Sequence, residues 1–216
     1  MFNLRHLALL CCFLSFWGKA ALATDYSVII VDQNGNAVPN AVVAYPGAST
    51  SSENLDVAIM DQIDKQFSPR VIAIQKGQAV KFPNSDDIRH HVYSFSPVKR
   101  FEIKLYSGSN VDPIVFDKPG IGVLGCNIHD DMIGHVYIAD GETTAVTNAQ
   151  GIANFANAIP AEVSVWHADM SLDGSLKTKV ALSMVNDRYT GAITLITREP
   201  KKEQRTFGSR TFGRNN

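Results

Sequence analysis

Short apolar runs alternate with polar turns along this chain, and no stretch carries the three-to-four-residue apolar spacing of a helix. Tyr26-Ser27-Val28-Ile29-Ile30-Val31 is rich in β-branched residues and predicts a strand. Asn34-Gly35 predicts a tight hairpin turn into a second strand over 37–45, with Pro39 near its start, where a missing N–H is tolerated. Residues 46–54 are rich in Gly, Ser and Thr and predict a loop, and 55–67 read as a connector. Seven further strands are predicted over 70–75, 78–82, 90–96, 101–105, 113–116, 121–126 and 135–139. Phe101-Glu102-Ile103-Lys104-Leu105 alternates apolar and charged residues, the pattern of a half-buried strand. Phe95, Phe101, Ile103, Leu105, Phe116 and Leu124 are the predicted core of this region. Beyond Asp140, strands are predicted over 145–147, 152–155, 163–167 and 189–196, with turns at 148–151 and Asp173-Gly174. Short strands at this spacing predict an antiparallel sandwich, hence an all-β fold. The polar, basic residues 199–216 predict a disordered tail.

Composition narrows the function classes. The 216 residues are 45% hydrophobic and 19% charged, with a formal net charge of -1, so the chain holds one large domain or two small ones. It lacks the basic footprint that nucleic acid binding asks for. Residues 1–23 predict a signal peptide. Arg5 and His6 form a short basic start, residues 7–17 are apolar except Ser15, and Ala21-Leu22-Ala23 offers a cleavage site. The apolar run is too short to span a bilayer, so no membrane span is expected after cleavage. Cleavage would remove Cys11 and Cys12 and leave Cys126 without a disulfide partner. A lone thiol in an oxidising compartment is a liability that a metal ion would remove. A buried inert cysteine is the bland alternative, but Asn127, His129, Asp130 and Asp131 are not a core sequence.

That cysteine opens the chain's most informative stretch, Cys126-x-x-His129-x-x-Met132. A thiolate, an imidazole and a thioether at this spacing suit copper in a trigonal His₂Cys site with a weak axial Met. Zinc is the rival on ligand type, although structural zinc sites rarely use a thioether. The second His must come from elsewhere, and His90 and His91 are the candidates. Adjacent residues of an extended segment face opposite sides, so only one of them can reach the site. His135 is read either as a residue near the metal rim or as an ordinary strand residue, and His167 as packing or surface. Asp130 and Asp131 are read equally as a solvated loop or as a docking site for a basic partner.

The Cys126-x-x-His129-x-x-Met132 loop followed by Gly134-His135-Val136 resembles the ligand loop of amicyanin. Phe82-Pro83-Asn84-Ser85-Asp86-x-x-x-His90 is similar to the upstream segment of plastocyanin-type proteins. The chain thus resembles the cupredoxins, with His90, Cys126, His129 and Met132 on the four ligand positions. His91 stands where plastocyanin-type proteins carry an Asn, and it and Asn84 are the supporting or alternative ligands. More closely, residues 60–168 resemble exported cupredoxins labelled methylamine utilization proteins, whose cupredoxin domain is inserted in a carboxypeptidase-regulatory-like β-sandwich. The resemblance implies a Greek-key cupredoxin sandwich over 63–141 and an outer sandwich from 26–62 plus 142–198. It further implies one mononuclear blue-copper ion, a periplasmic location, and electron transport to a redox partner protein such as a dehydrogenase or cytochrome. With four protein ligands on the metal no enzyme activity is expected. No Ser/His/Asp arrangement, paired-acid cleft or phosphate loop stands out in the sequence. The alternatives are a copper-binding or sensing module without electron transfer, or a metal-free structural β-domain.

Overall fold

The computed structural model describes residues 26–47, 55–186 and 188–196. The signal peptide expected over 1–23 and the tail expected over 199–216 lie outside them. The described residues are all β, with no helix, and none of them forms a helix long and apolar enough to cross a membrane. Four sheets stack as layers. The outermost joins β14 (Ile152–Phe155), β1 (Tyr26–Val31), β18 (Arg188–Ala192) and β17 (Ser183–Val185). Next lie β13 (Glu142–Val146), β2 (Val42–Pro46), β15 (Glu162–Trp166) and β16 (Lys177–Ala181). The third has five strands: β6 (Val71–Gln75), β12 (His129–Ala139), β11 (Gly120–Cys126), β8 (His90–Ser94) and β9 (Phe101–Tyr106). The fourth joins β10 (Ile114–Val115), β7 (Ala79–Lys81) and β3 (Ala58–Ile59), and β4 (Asp61–Ile63) pairs with β5 (Gln66–Ser68) beside it.

Two-residue alternation explains the layering. Val28, Ile30, Phe155, Val43, Tyr45, Val163 and Val165 fill the core between the first two sheets. Ile72, Ile74, Val136, Ile138, Leu124, Val80 and Phe116 fill the core between the last two. The two middle sheets turn their remaining faces to each other, burying Val42, Ala44 and Trp166 against Val71, Tyr137 and Ala139. Residues 42–45 and 136–139 are therefore buried at every position. The Trp166 ring lies 6.3 Å from that of Tyr137 and 5.4 Å from that of His135. Lys177 and Glu142 close the rim, bonding each other at 2.9 Å and the Tyr137 hydroxyl at 3.1 and 2.8 Å.

Several expectations are corrected. The 32–36 turn forms, its N–H groups bonded to the Asp32 carboxylate, but Gly35 alone has a positive φ, and β1 and β2 do not pair as a hairpin. Beyond one bridge, Val31 to Ala37, the chain crosses to the second sheet, because Val38 and Ala41 are drawn into the outer core. The 55–67 connector contains β3, β4 and most of β5. Residues 58–62, grouped with the outer sandwich on sequence, pair with β7 and β5 and bury Met60 in the inner core. The pairing is not purely antiparallel, since β1–β18, β6–β12 and β3–β7 run parallel. Phe116 and Leu124 are buried and Phe101 and Ile103 pack partly against the core, but Phe95 and Leu105 are exposed. Phe95 lies past the end of β8, and Leu105 follows an irregularity in β9 pairing that breaks the alternation.

Trp166→Ala should lower the unfolding free energy by about 3–5 kcal/mol, the usual cost of deleting a buried aromatic ring. Urea unfolding checks this. A change within about 0.5 kcal/mol, typical of surface positions, would show that the two middle sheets do not depend on the ring.

Candidate metal centre

The β11–β12 hairpin turns through Asn127 and Ile128, with Cys126 paired opposite His129. The pairing register shifts between Gly125 and Cys126. Such an irregularity re-aims a side chain at the end of a strand, and here Cys126 is 4% exposed and belongs to the inner core. At position 134, further into β12, a Cβ would stand 2.9 Å from the Phe67 ring, which is why glycine sits there. His90 comes from β8, the neighbour of β11.

The structure brings His90, Cys126 and His129 together, with one donor atom from each lying within 4.8 Å of the others. Cys126 Sγ is 3.8 Å from His90 Nδ1 and 3.7 Å from His129 Nδ1. Metal bonds of about 2.0–2.1 Å to imidazole and about 2.3 Å to thiolate, set about 120° apart, would separate N and S by about 3.8 Å. The donor spacing thus fits a trigonal N₂S metal centre. Met132 is buried among the same inner-core residues as Cys126 and lines the same cleft.

Each histidine has a defined role in this geometry. His90 is fully buried, and its Nε2 bonds Asp86 Oδ2 at 2.6 Å, which leaves Nδ1 turned to the sulfur. Asp86 in turn accepts the N–H groups of Asp64 at 2.7 Å and Lys65 at 2.9 Å. Burial raises the Asp86 pKa, but the Lys65 N–H, the His90 ring and the Asp64 N–H outweigh it, so its carboxyl stays below the ordinary value. It is an anion at neutral pH, suited to accept a hydrogen bond from Nε2–H and so hold the tautomer. His129 is half-buried, and its pKa is lowered by burial first and then by His90 and Lys65, with Asp86 opposing. That favours the neutral, ligating ring.

The other sequence-predicted residues lie around this centre. His91 points to the opposite face of β8, where Nε2 bonds Glu102 Oε1 at 2.9 Å, so of the two adjacent histidines His90 reaches the centre. Asn84 spends its amide on the carbonyls of Ile88 and Tyr106, at 2.9 and 2.8 Å, and accepts the Asp86 N–H at 3.1 Å. It braces the loop that carries Asp86 instead of facing the sulfur. Asp130 and Asp131 are exposed beside the hairpin turn. His135 and His167 lie at the junction of the sandwiches, lining one cavity. Asp86 is the residue sequence reasoning missed. It stands in the Asn84-Ser85-Asp86-x-x-x-His90 run without a role read from sequence, and its anchors, Asp64 and Lys65, come from the turn between β4 and β5.

No family model matches the chain, and no curated protein matches it in sequence. Solved structures resemble part of it. A Cu-containing nitrite reductase from Thermus scotoductus SA-01 aligns at 23% identity and TM-score 0.37, covering 43% of this chain and 25% of that one. The chain therefore spans about a quarter of that protein's length. A purple cupredoxin from Nitrosopumilus maritimus aligns at 19% identity and TM-score 0.35, covering 38% of this chain and 99% of its own. A mutant of amicyanin, in its reduced Cu(I) form, aligns at 16% identity and TM-score 0.36, covering 46% of this chain and 99% of its own.

Asp86→Asn should weaken Cu(II) binding about 10–100-fold, the usual effect of removing the partner of a metal-binding His. His91→Ala should leave affinity unchanged. Chelator competition reads both, and equal losses in the two variants would refute the assigned roles.

Proposed function

We propose that the chain is an exported blue-copper electron carrier of the periplasm, cupredoxin-like, with His90, Cys126 and His129 as equatorial ligands and Met132 as the weak axial one. The observation that carries this reading is the trigonal spacing of two imidazoles and one thiol on a buried hairpin and its neighbouring strand, with a buried thioether close by in sequence. Soft sulfur donors in that arrangement favour copper over zinc. Copper held there would supply a one-electron Cu(II)/Cu(I) couple.

The chain's own residues would set how that couple works. Cys126, His90 and Met132 are buried, so either oxidation state would meet much the same donor positions. Asp86 keeps Nδ1 of His90 free for the metal. His129, at the hairpin turn and less buried than His90, offers the ring edge through which an electron would enter or leave. Four protein ligands leave no open position for a substrate, which supports a carrier and not an enzyme. Asp130 and Asp131 beside that ring would select a redox partner, a dehydrogenase or cytochrome, that presents a basic patch. Methylamine oxidation is the proposed setting.

Cu(II) added to the purified protein should give an intense visible thiolate-to-copper band that is lost in Cys126→Ser. Reversible voltammetry should follow, and its absence despite the band would leave a copper-binding module without an electron-transfer role. Met132→Gln should lower the potential, and an unchanged potential rejects the axial role. With a basic partner, association should slow as ionic strength rises, and a rate indifferent to salt would exclude docking through Asp130 and Asp131.

A further inference from the structure

The segment that carries Asp86 is fastened at every residue. The Phe82 carbonyl accepts the Tyr106 hydroxyl at 2.5 Å, and the Pro83 carbonyl accepts the Gln62 amide at 2.9 Å. Asn84 exchanges backbone bonds with Gly108 at 2.9 and 3.1 Å. Ser85 donates its N–H to the Gln62 carbonyl at 3.1 Å and its hydroxyl to Asp61 Oδ2 at 2.7 Å. Asp86 then holds the Asp64 and Lys65 N–H groups and the His90 ring.

Gln62 stands at the centre of these bonds. It is fully buried in β4, two residues before Asp64. Its Nε2 donates to the Pro83 carbonyl and to the Tyr106 hydroxyl, the latter at 2.5 Å. A carbonyl can only accept, so Pro83 fixes which end of the amide faces it. Oε1 is thereby left buried with no partner among the described residues. An unpaired buried acceptor costs stability, so an apolar side chain of similar size would suit the packing alone. Breaking a local rule in this way is expected where function asks for it. Tyr106 braces the same segment from the other side. It lies opposite His90 in the β8–β9 pair, and its carbonyl accepts the Asn84 amide at 2.8 Å. Burial, with the Asp61 and Cys126 charges adding and the Gln62 bond opposing, pushes its pKa up to about 12, so the hydroxyl stays a donor to Phe82.

The turn that follows Gln62 is strained. Asp64 and Lys65, the two residues between paired Ile63 and Gln66, have φ of 53° and 59°. Two positive φ values define a turn that usually takes Asn-Gly, and side chains with a Cβ adopt it at a cost. Its successive N–H groups form a concavity that suits an anion, and the Asp86 carboxylate fills it. The β4–β5 hairpin therefore decides where that carboxylate lies, and Gln62 ties the hairpin to residues 83–85.

We propose that Gln62 is a positioning residue for the metal centre. By holding the β4–β5 hairpin against residues 83–85, it keeps Asp86 on Nε2 of His90 and leaves Nδ1 bare and turned to Cys126. The role rests on the reading of His90 as a metal ligand. Without this tie the Asp86 carboxylate drifts from Nε2, and the ring proton redistributes to Nδ1, which lies 3.8 Å from Cys126 Sγ. A ring nitrogen that carries a proton has no lone pair to give a metal.

Nitrogen-15 NMR of the metal-free protein in mildly alkaline buffer reads which His90 nitrogen carries the proton. Wild type should show it on Nε2, and Gln62→Met should move a clear share to Nδ1. Tyr106→Phe, which keeps the ring and loses only the hydroxyl, should act in the same direction, and it serves if Gln62→Met does not fold. Ile138→Val loosens the inner core on β12 and should leave the proton on Nε2. Cu(II) affinity should fall about 10-fold in Gln62→Met, with no further loss when that change is added to Asp86→Asn. A proton that stays on Nε2 in both Gln62→Met and Tyr106→Phe overturns the role, as do an equal redistribution in Ile138→Val and affinity losses that add. A tautomer that responds as expected in a protein giving no thiolate-to-copper band supports the role of Gln62 and rejects the copper reading instead.

Discussion

Burial of β12 on both faces is the constraint on which the rest of the structure depends. A strand at the surface of a sandwich has one face for the core and one for water. Here Val136 and Ile138 enter the inner core while Tyr137 and Ala139 meet the outer sandwich through Trp166. Both sides of the strand are committed, so a slip of one residue would exchange every contact at once. The register of β12 against β11 and β6 is therefore strongly specified, and with it the place where the hairpin ends. Cys126 and His129 occupy that end.

The metal centre inherits its rigidity from this arrangement. Cys126 and Met132 belong to the same buried cluster as Val136 and Leu124, so two sulfur-bearing side chains are held as core residues. His90 arrives from the adjacent strand and is held from outside by Asp86, whose carboxylate is itself fixed by the turn at Asp64 and Lys65. The donors are thus placed by packing and hydrogen bonding alone.

Much of this was legible in the sequence because it is local. A β-branched run marked β1, and the alternation of Phe101 to Leu105 marked β9. Cys126, His129 and Met132 fall within one hairpin, so their shared chemistry could be read from spacing. Other features were not legible because they depend on remote partners. The 55–67 segment looks like a connector until its strands find β7 and one another. Phe95 and Leu105 look like core residues, but their exposure depends on where β8 ends and where β9 pairing shifts register. Asp86 becomes a positioning residue only when the turn between β4 and β5 folds over it.

Residue type and short-range spacing, by themselves, determined an all-β chain and a thiol–imidazole–thioether loop, because alternation and ligand softness are properties of neighbouring residues. The choice of His90 over His91 needed the neighbouring strands of the sheet, since either ring can turn inward until pairing sets the pleat. The stacking of one sandwich on the other was likewise decided only in three dimensions. Val42, Ala44, Tyr137 and Ala139 are ordinary strand residues in sequence, and only the meeting of the two middle sheets, with Trp166 from β15 and Val71 from β6, makes their outward face a buried one.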